Sequence, residues 1–296
     1  MKLTVGIPVM NQEEETLRCL NQILETAHHI DQIVLIDNGS KIPLYNTLKA
    51  QFPDVFTKTQ VIIFRNETNV GVRPALNQIW RIADESDIVV YTHNDVQFFE
   101  HGWDDKIRGA FAVHSDAGIV GAYGAKGIGT GDIYQTPYVM QQLARMSCVS
   151  DTRMDKSIHG FRNLRNEFED VAVFDGFFFA VRKQLLDKLN GFSDILPQHH
   201  NYDNLICIQS LEYGCRNLVL SFDIEHLGGR TDTREDWSKN MGKEKIDIHR
   251  DAHPPLYEYG RGLLPIQVID IYNESDRIVG CEIWMNRELK KTINYN

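Results

Sequence analysis

The sequence has little positive charge, no basic cluster and no long apolar run. Its 296 residues carry 31 Lys and Arg against 41 Asp and Glu, a formal net charge of −10. A chain of this charge is poorly suited to bind a nucleic-acid backbone or an anionic membrane surface. No apolar segment approaches the length of a membrane span, and the N-terminal segment turns acidic after a short apolar stretch, unlike a secretory signal. We therefore expect a cytoplasmic protein with no membrane span and no nucleic-acid partner.

Cysteines are also few, and their pattern excludes two further classes. The five cysteines are odd in number and widely spaced, and none forms a C-x-x-C pair. Neither a disulfide framework nor a zinc cluster is indicated. With 42% hydrophobic residues, a chain of this length can build an ordinary core without cross-links.

Short apolar runs alternate with amphipathic segments along the first hundred residues. This alternation predicts an α/β fold with a mainly parallel sheet flanked by helices. Ligands in such sheets bind beyond the carboxyl ends of the strands, and Asn11, Asp37 and Asp95 each follow a predicted strand. A capping box is expected at Asn11 and Glu14. The predicted strands are Leu3–Val9, Gln32–Ile36, Val61–Phe64 and Asp87–Thr92.

The second half is less regular. Val171–Arg182 predicts a long strand that Asp175 and Gly176 interrupt, and a helix is expected from Asp203 to about Gly214. The glycine-rich segment Gly127–Gly131 follows a strand, but no helix pattern opens after it. It therefore does not match a dinucleotide fingerprint, and we expect a flexible loop.

Seven ordered segments resemble the family 2 glycosyltransferases of the GT-A fold. They are IPVMN (Ile7–Asn11), VLIDNGS (Val34–Ser40), NETNVGVRPALNQ (Asn66–Gln78), VVYTHNDV (Val89–Val96), DGFFFAVRK (Asp175–Lys183), YDNLICIQSLEYG (Tyr202–Gly214) and IEHLGG (Ile224–Gly229). Each segment is short, but the ordered set over about residues 1–230 is specific. The resemblance implies a single GT-A (Rossmann-like) domain. Residues 1–100 would form its nucleotide-sugar-binding half, 101–230 its acceptor half, and 231–296 a C-terminal extension.

By this resemblance, the nucleotide of the donor lies along the ends of the first strands. Asp37 is implied to bond to the base or ribose, although Asp-Asn-Gly-Ser is also the composition of a local Asx turn. Gly71 allows close backbone approach, and Arg73 either faces a phosphate or is a surface arginine at a helix start. The implied contact residues are Pro8, Val9, Asn11, Asp37, Asn69, Gly71, Arg73, Asn77 and Asn94.

The triplet His93-Asn94-Asp95 stands where the family has its D-x-D motif, which implies that Asp95 holds Mn²⁺ or Mg²⁺. The alternative for Asp95 is a helix cap. His226 resembles a histidine that adds a second metal or phosphate contact, and imidazole favours Mn²⁺; a structural histidine is the alternative. His93 replaces an Asp or Asn, so its own metal contact stays open.

Asp203 resembles the family's catalytic aspartate, which implies a general base and inversion at the anomeric carbon. An N-cap is the alternative. Tyr202 and Leu205 replace acidic residues of the family pattern. The Q-x-x-R-W signature of processive synthases is absent, which implies a single transfer per encounter. Asp175 is implied to bond to sugar hydroxyls.

The resemblance thus implies a metal-dependent, inverting, non-processive transferase. The donor would be a nucleotide-diphospho-sugar, UDP-sugar being favoured, and the acceptor hydroxyl would belong to a glycan, a lipid-linked molecule or a protein. The extension could cover the site, form a homo-oligomer or dock onto a partner. A catalytically degenerate protein that binds nucleotide or glycan is the alternative. A sugar nucleotidyltransferase is disfavoured, because Pro8–Asn11 stand where its glycine-rich loop would be.

Overall fold

The computed structural model describes residues 1–51, 59–129, 139–147, 149–150, 163–196, 200–228, 255–275 and 277–295. The helices are α1 (Glu13–Thr26), α2 (Leu44–Gln51), α3 (Val72–Ile82), α4 (Trp103–Val113), α5 (Lys183–Leu189) and α6 (Tyr202–Glu212), with a π-helical turn at Val139–Leu143. Residues 255–260 are also helical. None of the helices in these ranges is long and apolar enough to cross a membrane.

The strands form one large sheet and three small ones. In chain order they are β1 (Leu3–Val9), β2 (Gln32–Asn38), β3 (Gln60–Asn66), β4 (Ile88–Thr92), β5 (Val96–Phe98), β6 (Ala117–Gly121), β7 (Tyr123–Ala125), β8 (Ile128–Gly129), β9 (Ala144–Met146), β10 (Val149–Ser150), β11 (Phe168–Val171), β12 (Val173–Phe174), β13 (Phe178–Arg182), β14 (Arg216–Leu220), β15 (Ile224–His226), β16 (Ile266–Tyr272), β17 (Ile278–Met285) and β18 (Glu288–Asn294).

The central sheet has eight strands in the order β11-β14-β6-β13-β4-β1-β2-β3. Strands β4, β1, β2 and β3 are mutually parallel, so their carboxyl ends share one edge. Strand β13 is antiparallel to both of its neighbours, β4 and β6, and β14 returns parallel to β6. The predicted α/β architecture with a mainly parallel sheet is confirmed, and the predicted strands of the first half are present.

Helices cover both faces of this sheet. One apolar cluster joins the sheet to α1, α2 and α4, and the other joins it to α3, α5 and α6. Burial on both faces explains why the strands are nearly continuous apolar runs instead of alternating patterns.

Two local predictions were wrong. The residue that precedes α1 is Gln12, in a left-handed conformation and without a side-chain cap, so Asn11 and Glu14 form no capping box. The predicted strand Val171–Arg182 is divided into three strands that belong to two sheets. Strand β11 pairs with β14, β12 pairs with β7, and the chain crosses at Asp175 and Gly176 before β13 joins the central sheet.

The C-terminal extension is joined to the rest of the fold through a sheet and a helix. Strands β16, β17 and β18 form an antiparallel meander, and β16 also pairs in parallel with β8. Buried Leu256 and Leu264 belong to the same apolar cluster as Ile208 of α6. Ile128 and Gly129 are therefore a buried strand, and the expectation of a flexible loop was wrong for them; residues 130 and 131 lie outside the described residues. Residues 229–254, which include the first part of the extension, also lie outside the described residues.

A methyl group added at Gly6 should test the contact between β1 and α3. It would overlap Cγ2 of Ile79 and lie 3.0 Å from its Cδ1. We expect Gly6→Ala to lower the free energy of unfolding by about 1–3 kcal/mol, measured by urea denaturation, because the core there has no room. Gly109 in α4 has nothing within 4 Å of the added carbon. Gly109→Ala should instead raise stability by about 0.5–1 kcal/mol, and equal effects of the two changes would contradict the packing described here.

Candidate active site

The triplet His93-Asn94-Asp95 connects the central sheet to a small sheet. Strand β4 ends at Thr92 and β5 begins at Val96, where it pairs with β15. The His93 N–H donates to the Phe177 carbonyl at 2.8 Å, and the Asp95 carbonyl accepts from the Leu227 N–H at 3.1 Å. The backbone of the triplet is thus fixed from both sides.

The pairing of β5 with β15 brings His226 to Asp95. Val96 lies opposite His226 in the antiparallel register. The His226 Nε2 atom is 3.4 Å from Asp95 Oδ1, and the Phe177 ring stacks on the imidazole at 4.4 Å and 8°. Ligand atoms of His93, Asp95 and His226 all lie within 4.8 Å of one another. The structure therefore brings together the two predicted metal residues and adds His93, which the sequence had left open.

The chemistry of this cluster fits a divalent cation. Burial raises the pKa of Asp95, but the His226 and His93 imidazoles outweigh it and lower that pKa to about 2, so the carboxylate is ionised. Its buried Oδ1 has no hydrogen bond in the described part of the chain, since the 3.4 Å contact is longer than a normal N–H···O bond. Burial, followed by the nearby His226, lowers the pKa of His93, which favours the neutral imidazole that binds metals. Strand β5 follows Asp95, so the helix-cap alternative is wrong.

A second group of side chains lies beside this cluster, at the start of α6. The Tyr202 hydroxyl is 3.4 Å from Nε2 of His93. A methyl group on Gly176 would lie 2.6 Å from the Tyr202 hydroxyl and 3.0 Å from Oδ2 of Asp203. The glycine after Asp175 thus allows α6 to approach the crossing between β12 and β13. His93, Tyr202 and Asp203 therefore belong to one continuous site.

Asp203 is a half-buried carboxylate with an altered acidity. Burial, and then the negative charge of Asp175, raise its pKa to about 7, although the N–H groups of Asn204, Asp203 and Gly176 oppose the shift. Its Oδ1 accepts from the Asn204 backbone N–H at 2.9 Å and from Asn204 Nδ2 at 3.0 Å. The residue that precedes α6 is Asn201, so Asp203 lies inside the first turn and the N-cap alternative is wrong. A carboxyl group that titrates near neutral pH can exchange a proton with a bound hydroxyl.

The end of β2 is organised by Asp37. Its Oδ1 accepts from the Ser40 N–H at 2.9 Å, and its Oδ2 accepts from the Leu44 N–H at 3.1 Å and from the guanidinium of Arg65. The carboxylate is 1% exposed. These contacts support the Asx-turn alternative. The partly exposed group at this strand end is Arg65, which directly follows the predicted strand Val61–Phe64 and was not among the predicted site residues.

The loop before α3 is held by side-chain amides. Asn69 Oδ1 accepts from Asn38 Nδ2 at 2.8 Å and from the Gly71 N–H at 2.9 Å. Gly71 has φ 95°, which favours glycine. Arg73 lies in the first turn of α3, and its buried Nε has no hydrogen-bond partner among the described residues. Asn69 therefore shapes the loop, whereas Arg73 retains a donor for an anion.

Other predicted contact residues have structural roles in this fold. Both polar atoms of the Asn77 side chain bond to the Phe192 backbone, at 2.7 and 3.0 Å. Asn94 Nδ2 donates to Thr16 Oγ1 at 2.9 Å, which fixes α1. Asn11 Oδ1 accepts from the Lys41 N–H at 2.9 Å and so links the ends of β1 and β2. These side chains position the strand ends.

Pro8 and Val9 lie at the carboxyl end of β1. The Val9 side chain is buried in the core, at 2% exposure. A ligand at this edge can therefore meet Val9 only through its backbone.

Comparisons with known proteins support the sequence resemblance. The family model described as glycosyl transferase family 2 matches residues 4–189. Among curated proteins, no sequence matches significantly.

Among solved structures, the chain is similar to a mannosyltransferase from Pyrobaculum calidifontis in complex with GDP-Man and Mn²⁺. That match has a TM-score of 0.56 at 15% identity and covers 88% of this chain and 73% of the other. GalNAc-T7 with UDP, GalNAc and Mn²⁺ matches with a TM-score of 0.55 at 11% identity, over 96% of this chain and 65% of the other. S. aureus TarS 1–349 in complex with UDP-GlcNAc matches with a TM-score of 0.53 at 16% identity, over 87% of this chain and 72% of the other. At such identities the matches show the fold alone, which is the GT-A fold of glycosyltransferases.

Replacement of Asp203 by Asn should change how stability depends on pH. In the folded protein Asp203 keeps its proton up to about pH 7, whereas the unfolded chain releases it near the ordinary pKa of 3.8. The folded state thus binds more protons between these values, and its stability falls as pH rises through them. Asn cannot ionise. As pH rises from 4.5 to 7.5, we therefore expect the free energy of unfolding of Asp203→Asn to increase relative to that of wild type by on the order of 1–3 kcal/mol. Urea denaturation without metal would measure this difference.

The control for this measurement is Asp194→Asn, which removes an exposed carboxylate elsewhere. Its stability difference from wild type should not change over the same pH range. A constant difference for Asp203→Asn as well would contradict the raised pKa.

Proposed function

The chain belongs to glycosyl transferase family 2, and from this premise we propose that it transfers a sugar from a nucleotide-diphosphate donor to an acceptor hydroxyl in a metal-dependent reaction. The observation that carries the proposal is the juxtaposition of a cation-binding cluster, His93, Asp95 and His226, with a carboxyl group, Asp203, that titrates near neutral pH. Bond cleavage at a diphosphate and proton removal from a hydroxyl need these two parts side by side.

The three residues of the cluster would hold the cation. When bound, a divalent cation neutralises the charge that develops on the leaving diphosphate. Two imidazoles and one carboxylate favour a transition metal such as Mn²⁺ over Mg²⁺, which prefers oxygen ligands. Arg73 supplies a further donor to the phosphates, since its buried Nε has no partner in the described chain.

The nucleotide is proposed to lie along the ends of β1, β2 and β3. The turn that Asp37 organises and the Arg65 guanidinium border this edge. UDP is the favoured nucleotide, as in the sequence analysis. It is also present in two of the similar structures, those of GalNAc-T7 and TarS.

Asp203 is proposed to act as general base. Its ionised form accepts the proton of the acceptor hydroxyl as the oxygen attacks the anomeric carbon, and a direct attack of this kind inverts that carbon. Asp175 lies close enough for its charge to raise the pKa of Asp203, so it borders the same space and can bond to sugar hydroxyls. Among the described residues of the site, Asp203 is the carboxyl group whose pKa is raised towards neutral pH. We also propose a single transfer per encounter.

Nucleotide binding should depend on metal and on Asp95. We expect UDP, more than GDP or dTDP, to raise the melting temperature in differential scanning fluorimetry when Mn²⁺ is present, and less with Mg²⁺. A ligand at a hundred times its dissociation constant adds about 2.7 kcal/mol of stability, a readily measured shift. Asp95→Ala should abolish the shift because it removes the central carboxylate. His93→Asp, which replaces an imidazole by oxygen ligands, should narrow the difference between Mn²⁺ and Mg²⁺.

The control is Asp84→Ala, because this carboxylate is 90% exposed and lies outside the cluster. The melting temperature of this variant should rise with nucleotide and Mn²⁺ as that of wild type does. If no nucleotide stabilises the protein with any metal, the transferase proposal fails and a degenerate binding protein becomes the better interpretation.

Transfer should require ionised Asp203. Asp203→Asn should lower kcat by about 10²–10⁴ while it keeps the metal-dependent nucleotide shift, because the amide cannot accept the proton. In wild type, kcat should fall as pH is lowered through about 7, where Asp203 becomes protonated. Radiolabelled donor and an acceptor library would provide the assay, with Asp194→Asn as the control. A variant that keeps wild-type kcat would show that another group removes the proton.

A further inference from the structure

A cavity of about 740 Å³ lies in the C-terminal extension. It is lined by two aromatic rings, Tyr257 and Trp284, two guanidinium groups, Arg261 and Arg287, and by Gln267. None of these residues belongs to the site around Asp95. The volume falls within the range of small-molecule sites, about 300–1,000 Å³, and aromatic walls with a few polar groups are their usual lining.

Arg287 occupies an unfavourable backbone position at the edge of this cavity. It is the second residue of the two-residue turn between β17 and β18, where Met285 pairs with Glu288. Asn286 has φ 51° and Arg287 has φ 66°, as in the type I′ hairpin turn. Glycine is the preferred residue at this second position because side chains disfavour positive φ. Arg287 thus brings its guanidinium to the cavity from a backbone position that favours glycine.

Gly262 makes room for that guanidinium. A methyl group on Gly262 would lie 2.5 Å from Nε and from Nη2 of Arg287. Gly262 itself has φ 84°. The loop before β16 and the turn after β17 thus fit together around one guanidinium group.

The charges and the polar groups of the lining favour an anionic ligand. Glu258 lies 3.4 Å from Arg261, whereas no acidic side chain pairs with Arg287 in the described residues. Gln267 is 8% exposed, and its Nε2 has no hydrogen-bond partner in those same ranges. The whole chain is acidic, so a local excess of guanidinium in a cavity is selective for anions.

We propose that this cavity binds an anionic carbohydrate, a sugar segment that carries a carboxylate or a phosphate group. The rings of Tyr257 and Trp284 provide flat apolar surfaces for the C–H faces of sugar units. Arg287 and Arg261 provide forked N–H donors that match a carboxylate or a phosphate. This site is separate from donor binding and does not require the proposed transfer.

The extension is attached to elements that lie next to Asp175 and Asp203, so ligand binding in the cavity can serve the proposed transfer. Strand β8, to which β16 pairs, follows β7, and β7 pairs with the strand that leads into Asp175. The Tyr259 hydroxyl donates to Glu212 at the end of α6, at 2.6 Å, and Asp203 lies at the start of that helix. A long anionic acceptor held in the cavity would therefore be tethered to the same elements that carry Asp203 and Asp175.

Binding can be measured directly by isothermal titration calorimetry with four probes. Tetragalacturonate carries carboxylates and its methyl ester is neutral; phosphorylated maltotetraose carries phosphate and maltotetraose is neutral. We expect one charged probe to bind and its neutral counterpart to bind at least about tenfold more weakly. Binding of tetragalacturonate would identify the anion as a carboxylate, and binding of phosphorylated maltotetraose would identify it as a phosphate. Binding of neither charged probe, or equal binding of charged and neutral forms, overturns the proposal.

Arg287→Gly separates binding from folding. Glycine suits the turn, so the melting temperature should stay the same or rise, while affinity for the charged probe should fall about tenfold or more. The control is Arg277→Ala, which removes one positive charge from the exposed turn between β16 and β17 and should leave affinity unchanged. Equal affinity of Arg287→Gly and wild type overturns the proposal. The metal-dependent nucleotide shift should be the same in all three proteins, so a failure of donor binding is seen independently.

Discussion

The antiparallel pairing of β5 with β15 is the interaction on which the site depends. Two short strands, far apart in sequence, place His226 opposite Val96 and therefore next to Asp95. Because the side-chain direction alternates along a strand, a register shift of one residue would point His226 away from the carboxylate. The Phe177 ring then fixes the imidazole plane by stacking. A backbone register thus decides whether the two histidines and the aspartate form one cluster.

The pKa values of the two aspartates Asp95 and Asp203 are shifted in opposite directions. Burial would raise the pKa of both Asp95 and Asp203. Beside Asp95 the imidazoles outweigh burial and keep the carboxylate ionised, whereas beside Asp203 the charge of Asp175 adds to burial and favours the proton. Two aspartates of one site therefore differ in protonation near neutral pH, one suited to hold a cation and the other to exchange a proton. The environment, not the residue type, produces the difference.

Much of the fold and part of the site could be predicted from the sequence. The apolar runs of the first half gave their strands because strands buried on both faces have a continuous apolar pattern. Asp95, His226 and Asp203 could be singled out because short motifs preserve their order, although only their grouping in space was then tested by the structure. The contacts of Asn77 and Asn94 within the fold could not be predicted, since an amide that bonds to a distant backbone or hydroxyl has no local signature. Arg65 was missed for the same reason, because its partner Asp37 lies on the neighbouring strand. The division of Val171–Arg182 between two sheets depends on non-local pairing, which periodicity does not report.

The fold of the C-terminal extension could not be predicted from the sequence either. Its strands have no motif of the family, and β8 pairs with β16 although nearly half of the chain lies between them. Yet this pairing places a cavity with two guanidinium groups next to the strands that lead to Asp175. The family match ends at residue 189, and the part of the chain beyond it carries Arg287, whose backbone conformation would otherwise favour glycine. The backbone conformation of Arg287 is thus more informative about function than any pattern of residues in the tail, because positive φ disfavours a side chain there while the guanidinium lines a cavity.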